Sequence, residues 1–285
     1  MIRSRRSPLA LVASVALAAF GAAAVLAGDA EAGPPARAGR NGHAGRGGHA
    51  GRGGHAGRAG GAGGRARFHP DWEKHASTRY GVLDAAACTA ELDRRGVAFT
   101  SVAAAPGVRI PVRLPKDVGG VIYRTEAPQH VRDAGPYDVF DCRLVLALSD
   151  FSRVLAAHDI EEVRMFSAWR PPGPGWDPER DGTRHTGGLA MDARRFGKRL
   201  APGQTERVWL EVERDFHGRL GATPCGPGAA PPVPATAAAR ELRSIACEAA
   251  DQHFFTSILT PNYDRAHRNH LHLEVTPDVR WYLVL

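Results

Sequence analysis

Apolar residues recur at three- and four-residue steps in some stretches of this chain and at every second residue in others, so both helices and strands are expected. After Asp141, which is placed to cap a helix, Leu144, Leu148, Phe151 and Leu155 form a stripe that faces a core. Leu83 to Arg95 reads as an earlier helix ending near Gly96, and Ala235 to Phe255 as a long alanine-rich one; Gln204 to Leu220 also has helical composition. Val97 to Phe99 and Val108 to Leu114 read as short extended pieces. Val163, Met165 and Ser167 alternate in a strand ending at Ala168-Trp169-Arg170, and Leu189 to Phe196 reads as another short strand. The cleanest alternation lies near the C-terminus. There Leu271, Leu273 and Val275 face one way and His270, His272 and Glu274 the other, so one face is core and the other carries chemistry. This order of elements predicts an α+β fold, a small and mostly antiparallel sheet with helices packed on one face.

The N-terminal part does not follow these periods. A basic start, Met-Ile-Arg-Ser-Arg-Arg, precedes an apolar run from Leu9 to Ala27 and the small-residue site Ala30-Glu31-Ala32. That layout predicts a signal peptide over 1–32, either cleaved or retained as a membrane anchor, and hence an exported, periplasmic or extracellular protein. Residues 33–68 are Gly, Ala, Arg and His, with His43, His49 and His55 in a repeat, and are expected to be a disordered linker. The folded domain is then 69–285.

Charge follows the same division. The linker holds seven arginines and no acid, which equals the chain's net +7, so the domain beyond it is nearly neutral. With the basic charge confined to an arm and no recognition motif, nucleic-acid binding is not expected. The arm reads as a spacer, with attraction to anionic wall polymers or metal capture by its histidines as further readings.

The four cysteines, Cys88, Cys142, Cys225 and Cys247, are even in number and contain no Cys-x-x-Cys pair. In an exported protein this suggests two disulfides. Three pairings are open, of which Cys88 with Cys142 and Cys225 with Cys247 is preferred.

Two segments carry the candidate chemistry, His185-Thr-Gly-Gly-Leu-Ala-Met-Asp192 and His270-Leu-His272. Zinc accepts imidazole and carboxylate ligands, and a hydrolytic zinc needs only three of them because one position stays open to water; His185, Asp192 and His272 supply that number. The spacing is not that of a helical His-Glu-x-x-His site and fits a loop followed by a strand, with Gly187 and Gly188 freeing the backbone after the histidine. His270 and His272 lie roughly 7 Å apart along a strand, so both bind one ion or one binds while the other handles a proton.

The pattern His185-x-x-Gly188-x-Ala190-x-Asp192, followed by His270-x-His272, resembles the zinc site of the D-Ala-D-Ala carboxypeptidase and murein endopeptidase superfamily. More closely, the chain resembles the bacterial extensin-like C-terminal domain family. Supporting stretches are Cys88-Thr-Ala-Glu-Leu, Gly96-Val-Ala-Phe99, Pro111-Val-Arg-Leu114 and Leu259-Thr-Pro-Asn-Tyr-Asp-Arg-Ala-His267, and the likeness covers residues 80 to 276. It implies a Hedgehog/DD-peptidase-like fold, Zn2+ as cofactor, His185, Asp192 and His272 as its ligands, and His270 as a catalytic group beside the water. Peptidoglycan stem peptides become the expected substrate, cut by a carboxypeptidase or an endopeptidase. Arg170, after Ser167-Ala-Trp169, lies where relatives place an arginine toward a substrate carbonyl or carboxylate, with a structural ion pair as the other reading. Thr183 stands where serine is usual and keeps the hydroxyl, while Tyr263 either donates to substrate or packs. The vancomycin-resistance-type dipeptidases carry a glutamate base just before the last zinc histidine, and this chain has Arg268-Asn269 there. A second reading is therefore a wall-binding or structural domain that retains zinc without turnover.

Overall fold

A mixed eight-stranded sheet organises the domain, with a three-stranded sheet beside it. The computed structural model describes residues 67–68, 71–177 and 179–285, all within the unit Arg58–Leu285. The expected signal peptide and the linker up to residue 66 lie outside the described residues. In chain order the strands are β1 (Arg67–Phe68), β2 (Thr100–Ser101), β3 (Pro111–Arg113), β4 (Ile122–Thr125), β5 (Phe140–Asp141) and β6 (Ile160–Met165). They continue with β7 (Ala190–Lys198), β8 (Trp209–Glu211), β9 (Ser257–Leu259), β10 (Leu271–Glu274) and β11 (Trp281–Val284). The helices are α1 (Ala76–Gly81), α2 (Ala85–Arg94), α3 (Gln129–Ala134), α4 (Cys142–Ala157), α5 (Val212–Asp215) and α6 (Ala237–Asp251).

The large sheet runs β1-β11-β9-β10-β7-β6-β4, with β8 added to β7, and the small one β2-β3-β5. The α+β class is as expected from the sequence, but the sheet is not small, and it is mixed, because β4 runs parallel to β6 and β11 parallel to β9. β4, β9 and β11 are only three or four residues long, too short for their alternation to stand out in the sequence.

Helix α4 anchors the core. Asp141 accepts a hydrogen bond from Arg143 N at 3.0 Å as its N-cap, and Leu144, Leu148, Phe151 and Leu155 are fully buried. Each such side chain contributes about 1.5–3 kcal/mol of burial free energy. Helix α2 begins at Ala85 because Asp84 caps it, and ends where Gly96 takes a left-handed φ of 69°. Val97 N then bonds back to Leu92 O at 3.0 Å, so Val97 closes the helix and the expected strand at Val97–Phe99 starts instead at Thr100. Helix α6 buries Leu242, Ile245, Ala246 and Ala249 at helical spacing.

The expected helix over Gln204–Leu220 is not formed. Leu210 pairs with Phe196 in β8, and only Val212–Asp215 is helical; pairing along β7 overrides the local propensity of this stretch. Two disulfides, Cys88–Cys142 and Cys225–Cys247, close separations of 54 and 22 residues and match the preferred pairing. By loop length they stabilise by about 4 and about 3 kcal/mol. Among the described residues no helix is long and apolar enough to cross a membrane.

Candidate metal centre

The antiparallel register of β7 and β10 sets His272 directly opposite Asp192, and Glu274 opposite Ala190. Cross-strand partners share one face of a sheet, so two residues 80 apart in sequence meet without any loop having to fold over them. Leu271, Leu273 and Val275 are buried on the other face, as the alternation requires. On the far side of β7 the chain beyond β6 continues the pairing, with Phe166 N bonded to Asp192 O at 3.0 Å and Asp192 N to Ser167 O at 3.1 Å. Asp192 is thereby fixed in the middle of the sheet.

His185 arrives from the turn before β7. Gly188 has a left-handed φ of 63°, and a side chain there would stand 2.9 Å from Asp141 N; Gly187 likewise packs against the backbone of Gly182. Only glycine permits both the conformation and the approach. Gly188 N bonds to His185 O at 3.0 Å and Leu189 N to Arg184 O at 2.8 Å, which holds the turn that aims the imidazole at Asp192.

His185 Nε2 and His272 Nδ1 each lie 3.0 Å from Asp192 Oδ1, and His270 Nε2 lies 3.3 Å from the same oxygen. The outer ring nitrogens are also engaged. His185 Nδ1 faces the Ala168 carbonyl at 2.8 Å, His272 Nε2 faces Glu274 Oε2 at 3.2 Å and His270 Nδ1 faces Asn269 Oδ1 at 2.9 Å. A carbonyl or carboxylate oxygen accepts only, so with its proton on the outer nitrogen each neutral ring turns a lone pair inward. Lone pairs then face a carboxylate oxygen at hydrogen-bond distance. The arrangement calls for a positive charge among them, either extra protons or a cation.

A metal ion meets that demand. His185, Asp192 and His272 each offer one ligand atom within 4.8 Å of the others, and this buried set can hold a metal ion. An outer acceptor that fixes the tautomer of each ligating histidine is the usual surround of such an ion, and here Ala168 O and Glu274 provide it. Two nitrogens and one carboxylate without thiolate suit zinc and several other divalent ions.

Without an ion, protons take its place. Burial opposes ionisation of Asp192, yet hydrogen bonds from His185 and His272 hold its carboxyl far below the ordinary range. Burial likewise lowers His272, but the Asp192 and Glu274 carboxylates outweigh it and raise the imidazole. Glu274, pushed up by burial, is brought down further by His272 and Thr276. His270 lacks comparable support, and desolvation lowers it to about 4.

The remaining expected residues fall at different distances from this centre. Arg170 is half exposed; it pairs with Asp192 Oδ2 and donates from Nε to Ser167 Oγ at 2.9 Å. It therefore has the structural ion pair that was one of its two readings. Tyr263 is 44% exposed, with its ring edge-on to His267 at 5.3 Å. Thr183 is exposed on the His185 turn, where its carbonyl accepts from Gly187 N at 3.1 Å. A cavity of about 830 Å³ lies along β4 and is lined by residues such as Arg113, Lys116 and Asp133; none of the metal-centre residues lines it.

Two participants, Glu274 and Asp264, carried no role in the sequence, and a third, His267, was expected to orient a ligand or cap its loop rather than to bind metal. Glu274 orients His272, His267 stands 5.0 Å from the His270 ring, and Asp264 holds His267 Nδ1 at 2.7 Å. Glu274 was visible as the third polar residue of the His270-His272 alternation; the others come from a loop, where spacing carries no directional information. No protein-family model, curated protein or solved structure matches this chain.

Proposed function

We propose that this chain is a zinc-dependent hydrolase of peptidoglycan stem peptides, an exported member of the extensin-like family within the D-Ala-D-Ala carboxypeptidase and murein endopeptidase superfamily. The observation that carries the reading is the meeting of His185 Nε2, His272 Nδ1 and Asp192 Oδ1, with the outer nitrogen of each histidine held by an acceptor. Zinc in that position supplies Lewis acidity, making water nucleophilic near neutral pH and polarising an amide carbonyl.

The chain's own groups then divide the work. With its proton on Nδ1 toward Asn269, His270 presents Nε2, 3.3 Å from Asp192 Oδ1, to accept a proton from the attacking water. Arg170, with half its side chain in solvent and its Nε held by Ser167, is placed to bind a substrate carboxylate or to support the oxyanion. Tyr263, edge-on to the His267 ring, and Thr183, exposed on the His185 turn, are the hydroxyl groups that would donate to substrate.

Isolated sacculi incubated with the purified chain, followed by chromatography of released muropeptides, test this reading. Zinc-dependent products that disappear in His270→Ala are expected, with the ion held by His185, Asp192 and His272 retained in that variant. Retained zinc with no products at any pH supports instead a wall-binding or structural domain. That second reading is favoured by Arg268-Asn269 standing where the dipeptidases carry their glutamate base.

A further inference from the structure

His267 sits in a short turn, where Asp264 Oδ1 accepts from His267 N at 3.0 Å and faces its Nδ1 at 2.7 Å. The ring proton is thereby drawn to Nδ1, and Nε2 is left as an acceptor. This is the same carboxylate–histidine support that Glu274 gives His272. His267 lies against the centre, its ring 5.0 Å from that of His270 and 5.8 Å from that of His272, and the three offer nitrogens within 4.8 Å of one another. His272 is already engaged on both nitrogens, by Asp192 and by Glu274. His267 and His270 each have an outer nitrogen held by an oxygen, and the inner nitrogen of His270 meets Asp192 Oδ1 at the longer distance of 3.3 Å.

We infer that this pocket holds a second divalent cation, bound by His267 Nε2 and His270 Nε2 beside the Asp192 carboxylate, and that its binding shuts off hydrolysis when metal is in excess. The stoichiometry stands on the two histidines alone; the inhibition rests on the proposed hydrolase reading. His270 Nε2 lies 3.3 Å from Asp192 Oδ1, so that carboxylate is within reach of ions on both sides. Coordination consumes the His270 lone pair that proton transfer needs, so an occupied outer site and a working His270 exclude each other. The outer set shares its carboxylate with the inner ion, so that bond is weaker there, which places the second ion at higher free-metal concentration.

Cobalt(II) titration of the full-length chain, read by visible absorption and by bound metal per chain after gel filtration, tests the count. His43, His49 and His55 of the arm bring the same background to every variant. Wild type is expected to bind one ion more than His267→Ala and one more than His185→Ala. Asp264→Asn leaves the fold's core untouched and is expected to weaken the second ion by about 10- to 100-fold. Equal counts in wild type and His267→Ala, with an unchanged second absorption step in Asp264→Asn, overturn the outer site. The regulatory half is read as the ratio of muropeptide release at twenty equivalents of zinc to that at one. A fall of about tenfold or more in wild type, and little fall in Asp264→Asn, is expected; equal ratios overturn the switch. Absence of products at every ratio, with the extra ion still counted, overturns the hydrolase reading and leaves the second site standing.

Discussion

Two aspartates in this domain are almost completely buried, Asp141 at 0% and Asp192 at 1% exposure, and they differ in what surrounds them. Asp141 accepts from Ile110 N, from Arg143 N and from two nitrogens of the Arg143 guanidinium, at 2.8 to 3.2 Å. Every one of those donors has its proton fixed by its chemistry. The Asp141 set is complete in itself: one negative charge, one positive charge and no group whose role is undecided. Asp192 also has an arginine, Arg170, on Oδ2, but its Oδ1 meets imidazole nitrogens that are donors or acceptors according to what else is bound. Burial of a charge is common to both. Only the donor and acceptor count separates a closed ion pair from a receptive site.

Substituting the two aspartates gives the largest contrast. Asp192→Ala is expected to lower metal affinity by at least three orders of magnitude, measured by competition with a chromophoric chelator, because it removes the only anionic ligand. Asp141→Asn is expected to leave the metal content of folded protein unchanged and to destabilise it by about 3–5 kcal/mol in urea titration, since it strands Arg143 in the core. Equal metal loss in both would erase the distinction.

Removal of metal comes next. At a thousandfold excess of metal over its dissociation constant, wild-type stability should exceed that of the chelated form by about 4 kcal/mol, and Asp192→Ala should show no such difference. Acidification sharpens the same point. Protons and metal compete for the inward nitrogen of His272, so affinity rises with pH and falls in acid, by up to about tenfold per pH unit. The Asp192 and Glu274 carboxylates raise this imidazole, so the competition sets in above the ordinary histidine range. Asp192, held low by its histidines, does not enter that competition at moderate pH. A pH-independent affinity would mean that this nitrogen is not a ligand. The smallest effect is expected from Glu274→Gln, which keeps the shape beside His272 but removes the charge that orients it. Metal affinity should drop by about 10- to 100-fold, with Thr276 still available to the new amide.

Much of this was legible in the sequence wherever a period long enough to read coincided with burial. The α4 stripe, its Asp141 cap, the α6 helix and the His272 alternation all met that condition, whereas His185 and Asp192 were legible as ligand types in one short segment rather than from a period. The parallel partners β4 and β11 did not, being short strands whose place is decided by neighbours distant in sequence. Gln204–Leu220 misled for the reverse reason, since its composition favours a helix while the free edge of β7 captures Trp209–Glu211. Loop residues were the least readable. Asp264 and His267 owe their part to a turn geometry that no spacing rule encodes, and the Ala168 carbonyl has no side-chain signature at all.

The pairing of His272 with Asp192 also makes the centre a checkpoint on the alignment of the last strands. Sliding β10 by a single residue along β7 would turn both histidines away and put leucine against the carboxylate. Such a misthreaded chain would keep its helices and disulfides yet have nowhere to lodge an ion. Metal capture thus distinguishes a correctly zipped sheet from a near miss that spectroscopy of secondary structure would pass as native.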